Sequence, residues 1–452
     1  MALEAKIAKK IAHIAVVGLG YVGLPLAVEF ASEGFRVVGV DIDARKVDAL
    51  NKNTSYIPDV PNSKLKRVRA KKKFTATTNY AAIEATDVIF ICVPTPFDAM
   101  KAPDLSPVIS ATKSITPHLR AGQLVILQST TYPGTTEEVC LPILEKSGLR
   151  AGKDFHLAFS PERIDPGATG SQGWNVKNTP KTLGGLTPRC TALAKALLVH
   201  LTPRIFVVSS PRAAEMSKLL ENIFRSVNIA LVNELALLCE RMNIDMWEVI
   251  EAAKTKPFGF MPFYPGAGVG GHCIPVDPYY LSWKAREYDF NTRFIELAAD
   301  VNQGMPYHVV KLAHDALGRK GKSLRNARVL VLGVAFKPNV DDARNSPAER
   351  VIEVLRRYGA RVTYHDPFVP KFHIGGDVFH RARVDLVSVP LTRAALRACD
   401  LAIIVTAHHS VNYRLVVENA PLVVDSANAT RKLAHAEKIV RVGAPSHEVK
   451  YE

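Results

Sequence analysis

The apolar positions of this chain follow two rhythms. Runs of strand length recur at Ile11 to Val17, Arg36 to Asp41, Asp87 to Val93, Gln123 to Leu127 and Phe155 to Phe159, each closing on small or polar residues. Such runs, alternating with helical patterns like Leu24-Pro-Leu-Ala-Val-Glu-Phe30, read as a parallel sheet with crossover helices. From Arg212 to Met242 the rhythm becomes one long helix with no Gly or Pro inside it, and helical patterning resumes at Tyr279 to Arg286 and Phe294 to Val310. After the polar stretch Gly318 to Asn326, strand-like runs return at Arg328 to Gly333, Arg361 to Asp366, Leu401 to Val405 and Leu422 to Asp425. The pattern predicts an α/β protein with two Rossmann-like, doubly wound domains joined by a long central helix. The expected divisions are 1–210, 211–317 and 318–452.

Composition narrows the class. With 452 residues, 47% hydrophobic and 22% charged, the chain can bury more than one core. No apolar run reaches the roughly 18 residues of a membrane span, and the N-terminus lacks a long apolar core with a cleavage site. The expectation is a cytoplasmic protein with no membrane insertion. Six cysteines (Cys92, Cys140, Cys190, Cys239, Cys273, Cys399) show no C-x-x-C, so reduced thiols are expected rather than disulfides or a zinc site. His365, His408 and His409 lack a second ligand pair at metal spacing, and no metal is expected. The net charge of +15 is concentrated at Lys64 to Lys73, seven cations with no aromatic among them. A solvated basic face, or a positive field for acidic diphosphate ligands, fits that run better than nucleic acid does.

The first strand runs into Gly18-Leu-Gly20-Tyr21-Val22-Gly23 and a helix, and the second ends in Asp41, 23 positions after Gly18. In this context the glycines allow close pyrophosphate approach, the helix N-terminus faces the phosphates and the acid meets ribose hydroxyls, which is a dinucleotide fingerprint. Asp41 favours NAD, while Arg45 and Lys46 leave room for NADP. Two further strand ends, Pro94-Thr95-Pro96 and Ser129-Thr130-Thr131, belong at the cofactor or are plain turns. In Ser160-Pro-Glu162-Arg163-Ile-Asp165-Pro-Gly167, Glu162 is either an acid-base group or a partner of Arg163.

The chemistry centres on Gly268-Val-Gly270-Gly-His-Cys273-Ile-Pro-Val-Asp277-Pro278, where glycines free the backbone around one thiol and a carboxylate follows four residues later. The sulfur could attack a carbonyl and Asp277 could steer water. Alternatively, the segment is a glycine turn with an inert cysteine. On the long helix, Lys218 and Asn222 share a face and could hold an oxyanion, and Asn222, Asn228 and Asn233 want polar partners. Lys256 to Gly266, carrying Phe263 and Tyr264, reads as a substrate-side wall. In the second half, the turn Gly333-Val-Ala-Phe-Lys337 lacks the three-glycine spacing, and Lys337 and Arg344 are cations suited to phosphates.

In this order the fingerprint, Lys-x-x-x-Asn, Gly-Gly-x-Cys-x-Pro-x-Asp and the second α/β half resemble the UDP-glucose/GDP-mannose dehydrogenase family over nearly the whole chain. The stretches Ser160 to Gly167 and Phe263 to Leu281 look most like the branch that oxidises UDP-N-acetylglucosamine. The resemblance implies a four-electron oxidation of a sugar C6 alcohol with two NAD, through a thiohemiacetal and a thioester on Cys273. It implies Lys218, Asn222, Asp277, Glu162 and Thr130 as its catalytic partners. Cofactor contacts are implied at Gly18, Gly20, Tyr21, Val22, Gly23, Asp41, Lys46, Pro94, Thr95, Thr130 and Arg344. Substrate contacts are implied at Glu162, Arg163, Lys218, Asn222, Phe263, Tyr264, Gly266, Gly270 and Lys337. A UDP-sugar substrate and a homodimer or larger homo-oligomer through the central helices follow as well. Two departures stand out: no arginine lies between Arg241 and Arg286, leaving Lys254 and Lys256 as substitutes, and Ala427 stands where the family suggests arginine. UDP-glucose or UDP-N-acetylmannosamine are alternative substrates. A two-electron hydroxyacid dehydrogenase or a non-catalytic NAD-binding regulator are alternatives of another class.

Overall fold

The computed structural model describes residues 1–98, 101–164, 174–375 and 383–445. It divides into two compact units, one of Met1–Glu221 with Tyr279–Phe290, the other of Asn222–Pro278 with Asn291–Glu452.

Among the described residues the first unit holds eight strands: β1 (His13–Val17), β2 (Arg36–Val40), β3 (Phe74–Thr77), β4 (Val88–Ile91), β5 (Leu124–Leu127), β6 (His156–Phe159), β7 (Lys181–Gly185) and β8 (Ile205–Val207). They form one sheet in the order β3-β2-β1-β4-β5-β6-β7-β8, and β6–β7 is its antiparallel pair. The central strands β4 and β5 are buried at every position, which is why their sequences are unbroken apolar runs rather than alternating ones. The register pairs Val17 with Val40 and with Ile91, so the turns after β1, β2 and β4 emerge side by side. Strand order reverses between β1 and β4, and ligands of open α/β sheets bind at such a switch point. Helix Gly23–Ser32 buries Leu24, Leu26, Ala27, Val28 and Phe30 against this sheet, joined by Phe35 and Phe90.

Helix Asn62–Ala70 carries most of the basic run. Part of that charge is structural: Lys64 pairs with Glu29, Arg69 binds the Asn51 carbonyl and Asn53, and Lys73 donates to the Gly34 carbonyl at 2.6 Å. Lys66, Arg67, Lys71 and Lys72 are exposed.

The second unit contains β9 (Arg328–Leu332), β10 (Arg361–His365), β11 (Lys371–Ile374), β12 (Val384–Val387), β13 (Leu401–Ile404), β14 (Val423–Asp425) and β15 (Ile439–Arg441). Five of them form a parallel sheet, β10-β9-β13-β14-β15, and β11–β12 is a separate antiparallel pair. Helix Pro347–Arg357 and the 26-residue helix Arg293–Gly318 cover it, contributing Val351, Ile352, Leu355, Val309, Ala313 and Leu317 to one apolar core. The α/β expectation is therefore met in both halves.

Helix Pro211–Met242 runs 32 residues. Its interior asparagines find the partners that their poor helix propensity demands. Asn222 donates to Asp277 at 2.6 Å, Asn228 to the Phe224 carbonyl at 2.7 Å and Asn233 to Asn302 at 2.9 Å. Among the described residues it is the one helix long and apolar enough to cross a bilayer, but the polar groups it buries (Lys218, Asn222, Ser226, Asn233) are those of a protein-packed helix.

Candidate functional site

In the first unit, the turn after β1 requires its glycines for different reasons. Gly18 has φ +91°, and a Cβ there would lie 2.7 Å from the Cys92 carbonyl oxygen. A Cβ on Gly23 would lie 1.8 Å from the Gly18 oxygen, whereas Gly20 faces open space. That opening, ahead of the N-terminus of helix Gly23–Ser32, is the cradle a pyrophosphate needs. Asp41 accepts the Leu19 N–H at 2.8 Å and the Asp43 N–H at 2.9 Å, so it is already oriented at the end of β2. Lys46 Nζ lies 3.5 Å from Asp41, and Tyr56 anchors the glycine turn by donating to the Leu19 carbonyl at 2.7 Å. Arg45 pairs with Asp43 at the surface through two side-chain bonds at 3.0 and 2.9 Å. These residues fit NAD. Tyr21, Val22, Thr95 and Thr130 are half-buried and Pro94 is exposed. The Thr95 carbonyl accepts a hydrogen bond from Tyr280.

Glu162 lies just beyond β6 in a network that its sequence neighbours do not reveal. Its Oε2 accepts from Gln128 at 2.9 Å and from Lys181 at 3.1 Å, and its Oε1 accepts the Arg163 and Ile164 N–H groups at 2.8 and 3.2 Å. Lys181 is 1% exposed, a buried ammonium kept in a strand by this one carboxylate. The Arg163 guanidinium pairs with Glu221 at 2.7 Å instead of Glu162, and donates to the Pro180 carbonyl. Asp165 to Gly167 of the same motif lie outside the described residues. Lys218 is buried, one turn before Asn222 on the long helix.

In the second unit, the cysteine loop is shaped by the chain from Gly333 to Pro347. Gly271, at φ +91°, donates to the Arg344 carbonyl at 3.0 Å and accepts from Asn345 Nδ2 at 3.0 Å. A Cβ on Gly270 would come within 2.8 Å of Phe336 Cβ. Cys273 is half-exposed, and its Sγ lies 2.9 Å from His272 Nδ1. The Asp277 N–H closes the turn onto the Cys273 carbonyl at 2.8 Å, and its buried carboxylate takes the Asn222 bond. The Gly266 N–H donates to Asn233 at 3.0 Å, Phe263 packs edge-on against Phe224, and Tyr264 stacks on Trp247 while donating to Glu251. Lys254 binds Glu251 and Tyr264, and Lys256 sits over the Phe258 ring.

The loop bearing Lys337 is fixed from beneath. Asp366 accepts N–H bonds from Val334 (2.7 Å), Ala335 (2.9 Å), Phe368 (2.8 Å) and Val369 (3.0 Å), and His408 Nε2 lies 2.9 Å away. His408 Nδ1 accepts the Asn339 N–H at 3.0 Å, which puts the ring proton on Nε2. Burial pushes the Asp366 carboxyl up, but the His408 and backbone donors outweigh it and hold it below the usual range. Lys337 Nζ lies 5.5 Å above the Phe336 ring, and Arg344 grips Asp342 at 3.0 and 2.6 Å. The Ala427 N–H is bound by Asp425, which is wholly buried. Sequence reasoning passed over His272, Gln128, Lys181 and Asp366, and weighed His408 only as a metal ligand. Only His272 had a local signal, its place next to the cysteine.

The chain matches three domain models of one family: the UDP-glucose/GDP-mannose dehydrogenase NAD binding domain at residues 12–202, its central domain at 212–304 and its UDP binding domain at 330–432. It is 40% identical over 379 residues to the UDP-N-acetyl-D-glucosamine 6-dehydrogenase of Pseudomonas aeruginosa, covering 83% of this chain and 87% of that protein. It is 38% identical over 363 residues to the UDP-N-acetyl-D-mannosamine dehydrogenase of Pyrococcus horikoshii, covering 80% and 85%. A solved structure of UDP-D-ManNAc dehydrogenase from Pyrococcus horikoshii aligns with TM-score 0.85 and 33% identity, covering 95% of this chain and 99% of that one. With the fold, the glycine cradle and three consecutive domain matches agreeing, the chain belongs to the UDP-glucose/GDP-mannose dehydrogenase family and is an NAD-dependent nucleotide-sugar dehydrogenase.

Proposed function

We propose that the enzyme oxidises the C6 hydroxyl of UDP-N-acetylglucosamine to a carboxylate, with Cys273 carrying the sugar between two oxidations. The observation that carries this reading is the Cys273 loop itself: a half-exposed thiol beside an imidazole, with the Asn222–Asp277 pair one turn on. NAD, when bound, supplies the hydride acceptor for each oxidation. The glycine turn, Asp41 and Lys46 would hold it, with Thr95 and Thr130 at neighbouring strand ends. The sulfur adds to the C6 aldehyde to form a thiohemiacetal. Removal of a second electron pair makes the thioester, and water then releases the acid. Lys218 and Asn222 supply donors for the oxyanions, and Asp277, oriented by Asn222, directs the water. Glu162 accepts from Gln128, Lys181 and the Arg163 and Ile164 N–H groups, so its part is to hold the Ser160 to Ile164 turn in shape for substrate.

The sugar assignment is supported by the 40% identity to a UDP-N-acetyl-D-glucosamine enzyme, while relatives named for UDP-N-acetyl-D-mannosamine define the competing epimer. The division at 210/211 and 317/318 belongs to this reading, and both points fall in the gaps between the matched stretches 12–202, 212–304 and 330–432. So does a homodimer or larger homo-oligomer. Leu220, Phe224, Leu231, Leu235 and Leu238 form an exposed apolar stripe along the long helix that a second copy would cover. A cytoplasmic location is part of the same proposal, since reduced thiols persist there.

The test is stoichiometric. The enzyme is incubated with NAD and, separately, UDP-N-acetylglucosamine, UDP-N-acetylmannosamine, UDP-glucose and GDP-mannose, and NADH is counted per sugar consumed. Two NADH and a uronic acid from UDP-N-acetylglucosamine are expected. One NADH with a ketone product would refute the Cys273 scheme, and preference for the manno epimer would move the substrate but keep the chemistry.

A further inference from the structure

We infer that His272 is the proton acceptor of Cys273, so that the sulfur rests as a thiolate beside an imidazolium before any sugar arrives. The inference rests on the Cys273 reading above and adds the residue that makes that sulfur a nucleophile.

The geometry is a base on a thiol. His272 Nδ1 lies 2.9 Å from Cys273 Sγ, closer than an imidazole edge packed on sulfur needs to be and within reach for proton transfer. A nitrogen turned to a thiol presents its lone pair, which places the ring proton on Nε2 in the neutral form and makes Nδ1 the acceptor. Backbone bonds hold this pair in place. The Gly271 N–H and carbonyl are tied to Arg344 and Asn345, and the Cys273 carbonyl is capped by Val276 and Asp277 N–H groups. The loop that supplies Arg344 also supplies Asp342. Burial pushes the Asp342 carboxyl up, but Arg344 and the charge of His272 outweigh it and hold it below the usual carboxylate range. A permanent anion near His272 favours the imidazolium over the neutral ring. Charged groups near the pair include Asp342, the Arg344 that grips it, and Asp277, whose carboxylate is turned to Asn222.

The other cysteines lack this combination. Burial pushes Cys140 up to about 12 and Cys399 up to about 11. Burial also raises Cys190, but His156, Thr187 and the Leu157 N–H outweigh it and bring the thiol to about 7. Cys190 is wholly buried, so it meets no substrate. Only Cys273 couples a proton acceptor to exposure and to glycine-freed backbone among the described residues.

The step balances. The Sγ proton passes to Nδ1, and the sulfur lone pair forms the S–C6 bond while the carbonyl π pair becomes the thiohemiacetal oxyanion. C6 then loses a hydride, NAD⁺ being the oxidant, and the C–O pair re-forms as the thioester carbonyl. Water then adds to the thioester carbon and gives up its two protons to solvent, and the C–S bond breaks with its electron pair returning to sulfur as thiolate, again facing imidazolium. The His272 proton is held throughout and makes sulfur a better leaving group in that last step.

The experiment titrates the thiol without nucleotide. Iodoacetamide is added to the full-length enzyme across a pH series, and the rate of modification at Cys273 is followed by peptide mapping, which separates it from Cys190 and Cys239. The wild type is expected to titrate below the ordinary thiol range. His272→Gln should return the midpoint toward that range and slow alkylation at neutral pH by about tenfold or more, one unit being tenfold. Asp342→Asn, which keeps the imidazole, should move the midpoint the same way by less, and it serves if the glutamine variant is poorly folded. NAD titration by fluorescence checks folding of each variant. A wild-type midpoint in the ordinary range, or one unmoved in both variants, overturns the inference. If Cys273→Ser abolishes acid formation while the His272→Gln profile is unchanged, only the inference falls. Full two-NADH turnover by Cys273→Ser would remove the reading beneath it.

Discussion

Replacing Asp366 tests whether the loop after β9, in the second unit, is held by one buried carboxylate. The side chain accepts from four backbone N–H groups and from His408, at 2.7 to 3.0 Å. Both partners of the Asp366–His408 pair have side-chain exposure of 0%. Asp366→Ala strands all five donors out of reach of water. At roughly 1–3 kcal/mol per stranded donor, less whatever relaxation recovers, the expected loss is about 4–6 kcal/mol. Asp366→Asn keeps one acceptor oxygen but turns an NH₂ toward two donors, so about half that loss is expected. At about 2–4 °C per kcal/mol for a unit of this size, the alanine variant should melt roughly 10–20 °C lower. The carboxyl is held below its usual value, so its contribution is complete above the unfolded value of about 3.9 and fades as pH falls below that. Calorimetry and urea titration at neutral and acid pH measure both effects. An alanine variant within about 0.5 kcal/mol of wild type, or a deficit that does not shrink in acid, would refute the reasoning.

Three further outcomes are expected. Asn222→Ala removes the 2.6 Å bond to buried Asp277, so stability should fall by about 1.5–3 kcal/mol; if Asn222 also serves an oxyanion, kcat should fall by roughly 10²–10³. Melting curves and steady-state kinetics check the two parts, and an unaltered variant removes Asn222 from the site. Gly270→Ala places a Cβ 2.8 Å from Phe336 Cβ and 3.0 Å from the Asn345 oxygen, an overpacking cost of about 1–3 kcal/mol visible as a lower urea midpoint. Lys181→Met leaves Glu162 with an uncompensated charge and should cost about 3–5 kcal/mol. Adding Glu162→Gln should recover part of it in a double-mutant cycle, and strict additivity would show the pair to be uncoupled.

Much of the fold was written in local periodicity. β1, β4, β5, β9 and β13 sit inside parallel sheets, covered on both faces, and only unbroken apolar runs can occupy such places. The strands that escaped sequence reasoning lack that signature. β3 and β15 are short with partly exposed positions, β8 exposes Phe206 and Val207, and β7 begins with a lysine and ends in two glycines. Lys181 belongs in β7 because Glu162 neutralises it, and no window of sequence around residue 181 contains that fact.

The site divides along the same line. The glycine fingerprint, the Lys218–Asn222 spacing and the Cys273 loop are each contiguous or one turn long, so residue type and spacing are enough to find them. Their partners lie far along the chain: Asn222 with Asp277, Asn233 with Asn302, Glu162 with Lys181, and Asp366 with His408. For Asp366 and His408 the meeting is decided when a parallel sheet brings the ends of β9, β10 and β13 side by side, a matter of register between strands that local sequence does not encode. The chain's own pattern thus determined a dinucleotide-binding turn and a cysteine set among glycines. Tertiary packing decided which charges are neutralised, which carboxylate is structural, and that an imidazole faces the sulfur, because a buried polar group must find its partner in space rather than in sequence.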